Sequence, residues 1–216
     1  MGATQIDLSP CLKPGDFLFQ YAKNNDAGET ISQMFEGVNG HIFNHVATYM
    51  GNEQVIEAVP PQVQSVSLSQ FIEASVVDTN NQPCITIARI TRQYQSLIPE
   101  ALAFIKNKLS APYDESFCSD SGWYCSKLII SAFEKANNDA PVFELQPMSF
   151  KNPQTGEFYP FWEEHYQQLG MAIPEGLQGS HPATMSLSEH LDIVTFLGGL
   201  PYKSRQKDFF TETILA

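Results

Sequence analysis

Residues 45–60 read HVATYMGNEQVIEAVP, two apolar runs on either side of a Gly51-Asn52 turn, ended by Pro60-Pro61. Aromatic and β-branched residues flanking a Gly-Asn break predict two short antiparallel strands. A proline pair cannot continue the ladder, so the second strand stops there. Inside that strand stands one acid, Glu57, between Ile56 and Ala58. An unpartnered carboxylate on a buried face is costly, so Glu57 either faces solvent or has a partner. Parity connects it to His45. A three-residue loop at 51–53 pairs Met50 with Gln54 and sets His45 and Glu57 on one face, a diagonal step apart. A two-residue loop sets them on opposite faces. The expectation is the first, an imidazole oriented by a carboxylate.

Around this hairpin, the runs LKPGDFLFQ (12–20), VQSVSL (63–68) and CITIARI (84–90) carry further strand patterns. Residues 21–44 are richer in Asn, Gly and Asp, and the spacing of Ile31, Met34 and Phe35 predicts a helical turn or two. Then helices take over. PEALAFIKNKL (99–109) opens on Pro99 and aligns Leu102, Ile105 and Leu109. YCSKLIISAFEKA (124–136) aligns Leu128, Ile129, Ala132 and Phe133, which puts Cys125 in a first helical turn. A further helix is predicted over 160–169, stopped by Gly170, and another from SLSEHLDIV (186–194), where Ser186 and Glu189 match a capping box. Strands first and helices later predict an α+β fold, and no linker divides residues 1–216 into separate domains.

The bulk composition excludes several classes. With 43% hydrophobic and 17% charged residues the chain has material for a core. A formal charge of −12 argues against nucleic acid or anionic membrane as principal partner. No apolar run reaches the roughly 18 residues of a transmembrane helix. The start, MGATQIDLSP, lacks the basic and apolar regions of a signal peptide, and Ile6 stands where a myristoylation motif has Ser or Thr. The compartment expected by default is the cytoplasm, or the periplasm or exterior had a leader been removed. Nothing in the sequence specifies an oligomer.

Cys125 carries the chemistry. Unpaired N–H groups and the partial positive charge at a helix start favour a thiolate, the form that attacks carbonyl carbon. The bland alternative is a small buried apolar residue. With His45 as base and Glu57 as orienter, Cys125 completes a generalised triad. Its own N–H plus one further donor would make an oxyanion hole. Tyr124 and Tyr113 are the candidate side-chain donors, and Trp123 is a candidate cleft wall; each has an ordinary packing role as its alternative. Cys118 competes for the nucleophile, but neighbouring Glu115 and Asp120 oppose thiolate formation. Cys11 and Cys84 flank strands and read as structural. His41 and His45 have the i, i+4 spacing of a metal pair, yet no zincin glutamate accompanies them and no Cys/His set has finger spacing, so neither metal nor cofactor is expected. His165, His181 and His190 read as ordinary.

The stretches LKPGDFLF, NHVATYMGNEQVIEA and PYDESF…YCSKLI, spanning about residues 12–130, together resemble the permuted papain-like amidases, the YaeF/YiiX-like branch of the NlpC superfamily. A weaker echo lies in GSHPATMSLSEHLDIV (179–194). The order histidine, acid, cysteine matches the circularly permuted members. The resemblance implies a permuted papain-like fold, a small antiparallel barrel-like sheet packed against the cysteine helix. It also implies Cys125, His45 and Glu57 as the matching catalytic positions. Residues of about 137–180 have no counterpart in the pattern and are read as an insertion that shapes or covers the cleft.

The functional expectation is a cysteine peptidase or amidase that cleaves an amide through a thioacyl-enzyme. The resemblance implies a small substrate, a peptidoglycan-type peptide or an N-acyl amino compound. Net negative charge mildly favours one with an exposed amine. Two alternatives stand beside it: a lipid acyl hydrolase or acyltransferase of the lecithin:retinol acyltransferase type, which needs a continuous apolar groove, and an inert binding module, against which the intact Cys/His/Glu set argues.

Overall fold

The computed structural model describes residues 11–23 and 26–199; the expectations drawn on residues 1–10 lie outside them. A six-stranded antiparallel sheet forms the centre, in the order β4-β3-β2-β1-β5-β8. The strands are β1 Phe17–Gln20, β2 His45–Gly51, β3 Gln54–Val59, β4 Gln62–Ser67, β5 Ile85–Ile90 and β8 Leu191–Phe196. Helices α1 Asp26–Met34, α2 Leu68–Glu73, α3 Ile98–Asn107, α4 Cys125–Ala136, α5 Pro160–Leu169 and α6 Pro182–Met185 surround it. A two-stranded ribbon, β6 Gln146–Pro147 with β7 Gln178–Gly179, stands apart.

Strand β1 is central and buried along its whole length, which is why FLFQ shows no alternation. Its Phe17 and Phe19 face a core with Val46, Ile56 and Ala88, closed by Leu128, Ile129, Ala132 and Phe133 of α4. Phe17 and Phe133 meet edge to face at 5.4 Å. The opposite face carries Leu18, Ala47, Tyr49, Val55 and Ile87, closed by Leu68 and Phe71 of α2. The sheet is therefore covered on both sides, and α2, which no periodicity of the sequence announced, supplies part of the second cover. Its N-terminus is a capping box of Ser67 and Gln70.

The β2–β3 hairpin differs from expectation in an instructive way. Gly51 pairs with Gln54, so the turn is the two-residue kind, with Asn52 and Glu53 both left-handed at φ 51° and 58°. Met50 is squeezed out as a bulge, and beyond it Tyr49 pairs Val55 and Thr48 pairs Ile56. One residue lost from the loop is returned by the bulge. His45 and Glu57 keep the common face expected of them, by a different route.

The helix expected over 186–194 is corrected. Ser186 ends α6, and its hydroxyl accepts from the Val38 N–H at 2.9 Å and donates to the Ala183 carbonyl. Residues Leu191–Phe196 instead form β8 against β5. The run LDIVTF contains three β-branched residues, and the open edge of β5 offers a ladder that outweighs the local capping signal. The other helices fall close to expectation: α5 starts on Pro160 and stops at Gly170, left-handed at φ 66°.

Candidate active site

His45 is the first residue of β2 and pairs with Gln20, the last of β1, so the imidazole stands at the end of the sheet. Its ring lies 6.0 Å from that of Phe71. Nε2 of His45 is 2.8 Å from Oε2 of Glu57. With Nε2 engaged there, Nδ1 is the ring nitrogen left free, and Cys125 lines the same cleft as the imidazole. Cys125 opens α4, where Tyr124 caps the helix with backbone only and the first N–H groups lack side-chain acceptors. The helix crosses the opposite face of the sheet from His45. Cys125 and His45 share one cleft, each the end residue of its element. All three groups are largely out of water: Cys125 is 8% and His45 6% exposed, and the Glu57 side chain 11%.

Electrostatics follow from that packing. Burial disfavours an imidazolium, but hydrogen bonds to Cys125 and Glu57 and their negative charge prevail, and His45 is pushed up to about 10. Burial likewise works against the Glu57 carboxylate, yet the His45 hydrogen bond and charge, with a further bond from Gln64, hold it below its ordinary range. Oε1 of Glu57 accepts from Nε2 of Gln64 at 2.8 Å. Tyr113 is raised by burial and then by surrounding negative charge, and Tyr124 by burial against the lowering effect of its Ser180 hydrogen bonds, so both keep their protons.

His45, Glu57, Tyr113, Tyr124 and Cys125 line one cleft of about 930 Å³. Its lining includes an apolar group, Ile31 and Met34 of α1 and Phe35 with Met148, Phe150, Phe161 and Trp162, beside the polar side chains of Lys23, Asn44, Glu115 and His165. Met148, Phe150, Phe161 and Trp162 come from residues 137–180. Phe150, Tyr159, Trp162 and Tyr166 form a buried aromatic cluster there. Phe117 joins it, 5.4 Å from the Tyr124 ring and 5.6 Å from that of Trp162. It does so with a left-handed φ of 56°, a conformation an aromatic residue adopts only where its surroundings impose it.

Of the residues singled out from sequence, Cys125, His45, Glu57, Tyr113 and Tyr124 converge on the cleft, and Trp123 does not belong to its lining. Trp123 packs edge-on against Phe104 at 5.7 Å beneath the Lys108 ammonium. Cys118 hydrogen-bonds Ser116 outside the cleft. His181, read as ordinary, lines it: Nε2 donates to the Ile31 carbonyl and Nδ1 accepts from Ala183 N–H, so both ring nitrogens are committed. Burial lowers its pKa to about 4, and it stays neutral. Ser180 beside it went unnoticed. Its Oγ donates to Ser126 at 2.8 Å and its N–H donates to the Tyr124 hydroxyl at 3.2 Å, which ties both neighbours of Cys125. The quoted echo GSHPATM held the only signal for these two.

A helix opening on a thiol, packed on an antiparallel sheet with histidine and acid at its end, is the layout of papain-like thiol hydrolases, here in permuted order. The crystal structure of the metalloprotein YiiX from Escherichia coli O157:H7 shares the fold, with a TM-score of 0.65 and 21% identity over 86% of this chain and 98% of that one. The chain belongs to the permuted papain-like amidase family, YaeF/YiiX, C92, whose model matches residues 11–195. That membership makes it a cysteine hydrolase. No curated protein matches it. Among the described residues of this chain, no three His, Cys, Asp or Glu gather to hold a metal ion, and no helix is long and apolar enough to cross a membrane.

Proposed function

We propose that the protein hydrolyses N-acyl amides with an apolar acyl group, using Cys125 as nucleophile, His45 as base and Glu57 as its orienter. The observation that carries this reading is the His45–Glu57 hydrogen bond of 2.8 Å in the cleft that Cys125 lines, together with the apolar group that lines the same cleft. His45 takes the thiol proton and the sulfur attacks the carbonyl carbon. The oxyanion is met by the Cys125 N–H and by a protonated tyrosine, Tyr113 or Tyr124. Collapse breaks the C–N bond, His45 returns the proton to the leaving amine, and a thioester remains. Water, deprotonated by His45, releases the carboxylic acid and the thiol.

The apolar group of Ile31, Met34, Phe35, Met148, Phe150, Phe161 and Trp162 gives an acyl chain a surface to bury against, which favours an acyl amide over a cell-wall stem peptide. A panel of N-acyl amino compounds, acyl esters and stem peptides, run with the parent protein and Cys125→Ala, tests this. Amide turnover that rises with acyl length and vanishes in the variant is the expected result. Preference for esters would move the protein to the lipid acyl hydrolase reading, and turnover of stem peptides alone would reject the acyl assignment.

A further inference from the structure

We propose that Gln64 is a positioning residue for the same chemistry, the fourth member of a chain Gln64–Glu57–His45–Cys125; this rests on the catalytic reading above. Gln64 lies directly opposite Glu57 in the β3–β4 ladder, so the two side chains share a face by register. Its amide donates to the carboxylate oxygen that His45 leaves free, at 2.8 Å. A carboxylate gripped on one oxygen only can rotate about its last bond and carry the imidazole with it. Gripped on both, it has one orientation.

The strand that carries Gln64 is itself tied down. The Val63 N–H donates to the Ala111 carbonyl at 2.9 Å and the Ser110 N–H returns the bond to Val63 at 2.9 Å. The Tyr113 N–H donates to the Pro61 carbonyl at 2.9 Å. Strand β4 thus holds the orienter through Gln64, and its backbone with that of Pro61 just before it holds the segment that carries Tyr113. A neutral amide also suits the position chemically. It donates without neutralising Glu57, whereas a cation would draw the carboxylate's charge away from His45, and a second carboxylate would have to share a proton with the first.

The direction of the pH effect follows. The Gln64 bond is one of the causes that hold Glu57 low, so its loss raises the Glu57 pKa. Glu57 then protonates at higher pH, His45 loses its negative partner there, and thiol activation fades earlier on the acid side. Gln64→Glu moves that limb further in the same direction.

The test needs no substrate. The rate of Cys125 alkylation by iodoacetamide is followed from pH 4 to 8 by peptide mass spectrometry in the parent, Gln64→Ala, Gln64→Glu, Glu57→Ala, Glu57→Ala/Gln64→Ala and His45→Ala proteins, each checked for a parent-like thermal transition. The expected result is a loss of about three- to tenfold at pH 5–6 in Gln64→Ala, an acid limb moved to higher pH, a larger move in Gln64→Glu, and no added effect of Gln64→Ala once Glu57 is gone. A parental rate and limb in folded Gln64→Ala and Gln64→Glu, or a loss that persists undiminished without Glu57, would overturn the proposal. Equal alkylation of the parent and His45→Ala would instead overturn the catalytic reading beneath it, so the two failures are distinct.

Discussion

Glu57 and His45, twelve residues apart, share a 2.8 Å hydrogen bond because Met50 bulges out of the hairpin between them. The two-residue turn alone would place them on opposite faces of the sheet. The bulge restores the parity that lets a carboxylate reach the imidazole, and the pairing depends on one backbone irregularity.

The charge of that carboxylate matters more than its shape. Glu57→Gln keeps the size of the side chain and a possible hydrogen bond but removes the ion that holds the imidazolium. Turnover is expected to fall by about 10²- to 10⁴-fold with KM changed by less than about threefold, measured with the best substrate of the panel. A fall of less than threefold would show that Glu57 is not the orienter.

Stability should carry the same signature. His45 has a folded pKa raised to about 10 against an ordinary value of 6.5, so its contribution is fully present below about pH 6.5 and is lost as pH rises through about 10. Glu57, held low, contributes above its ordinary range near pH 4 and loses that contribution as pH falls through its depressed folded value. The parent's thermal midpoint should therefore decline between pH 7 and 10 more steeply than that of His45→Gln, as calorimetry would record. Parallel declines would mean that the pair does not stabilise the fold.

The apolar group in the cleft lining makes a prediction about affinity. Phe161 borders the cleft while remaining partly exposed, so Phe161→Ala removes wall surface without emptying the core. KM for the longest acyl amide should rise by about tenfold, with kcat within a factor of about two, from loss of burial worth roughly 1–2 kcal/mol. Trp162 is different: at 1% exposure it is core, and Trp162→Ala should cost about 3–5 kcal/mol in urea unfolding.

Much of this was legible in the residues. Strand β1 showed as a continuous apolar run, α4 as a stripe of Leu128, Ile129, Ala132 and Phe133, and α5 between its proline and its glycine. What escaped was whatever depended on a distant partner. The β8 strand exists because β5 has an open edge, and a local S-x-x-E pattern pointed the other way. Gln64 looks like any polar residue on an alternating strand until register sets it opposite Glu57. Ser180 matters only through contacts with Tyr124 and Ser126, more than fifty positions earlier. Trp123, next to the helix start in sequence, turned away onto Phe104 because an aromatic neighbour and the Lys108 stem offered better burial.

Ser180 supports both residues that flank the thiol. Ser180→Ala removes the bond to Ser126 and leaves the backbone bond to Tyr124, so a partial loss is expected: about threefold to tenfold in kcat. Ser180→Thr, which keeps the hydroxyl, should restore most of it. Equal activity of the alanine and parent proteins would remove Ser180 from the supporting structure.

The most direct measurement is the mass of the intact protein during turnover of an N-acyl amide with a good leaving amine, quenched in acid. The account predicts one added acyl group, less one hydrogen, located on Cys125, and absent from Cys125→Ala and His45→Ala. Undiminished amide hydrolysis by Cys125→Ala, or an acyl group carried on another residue, would contradict it.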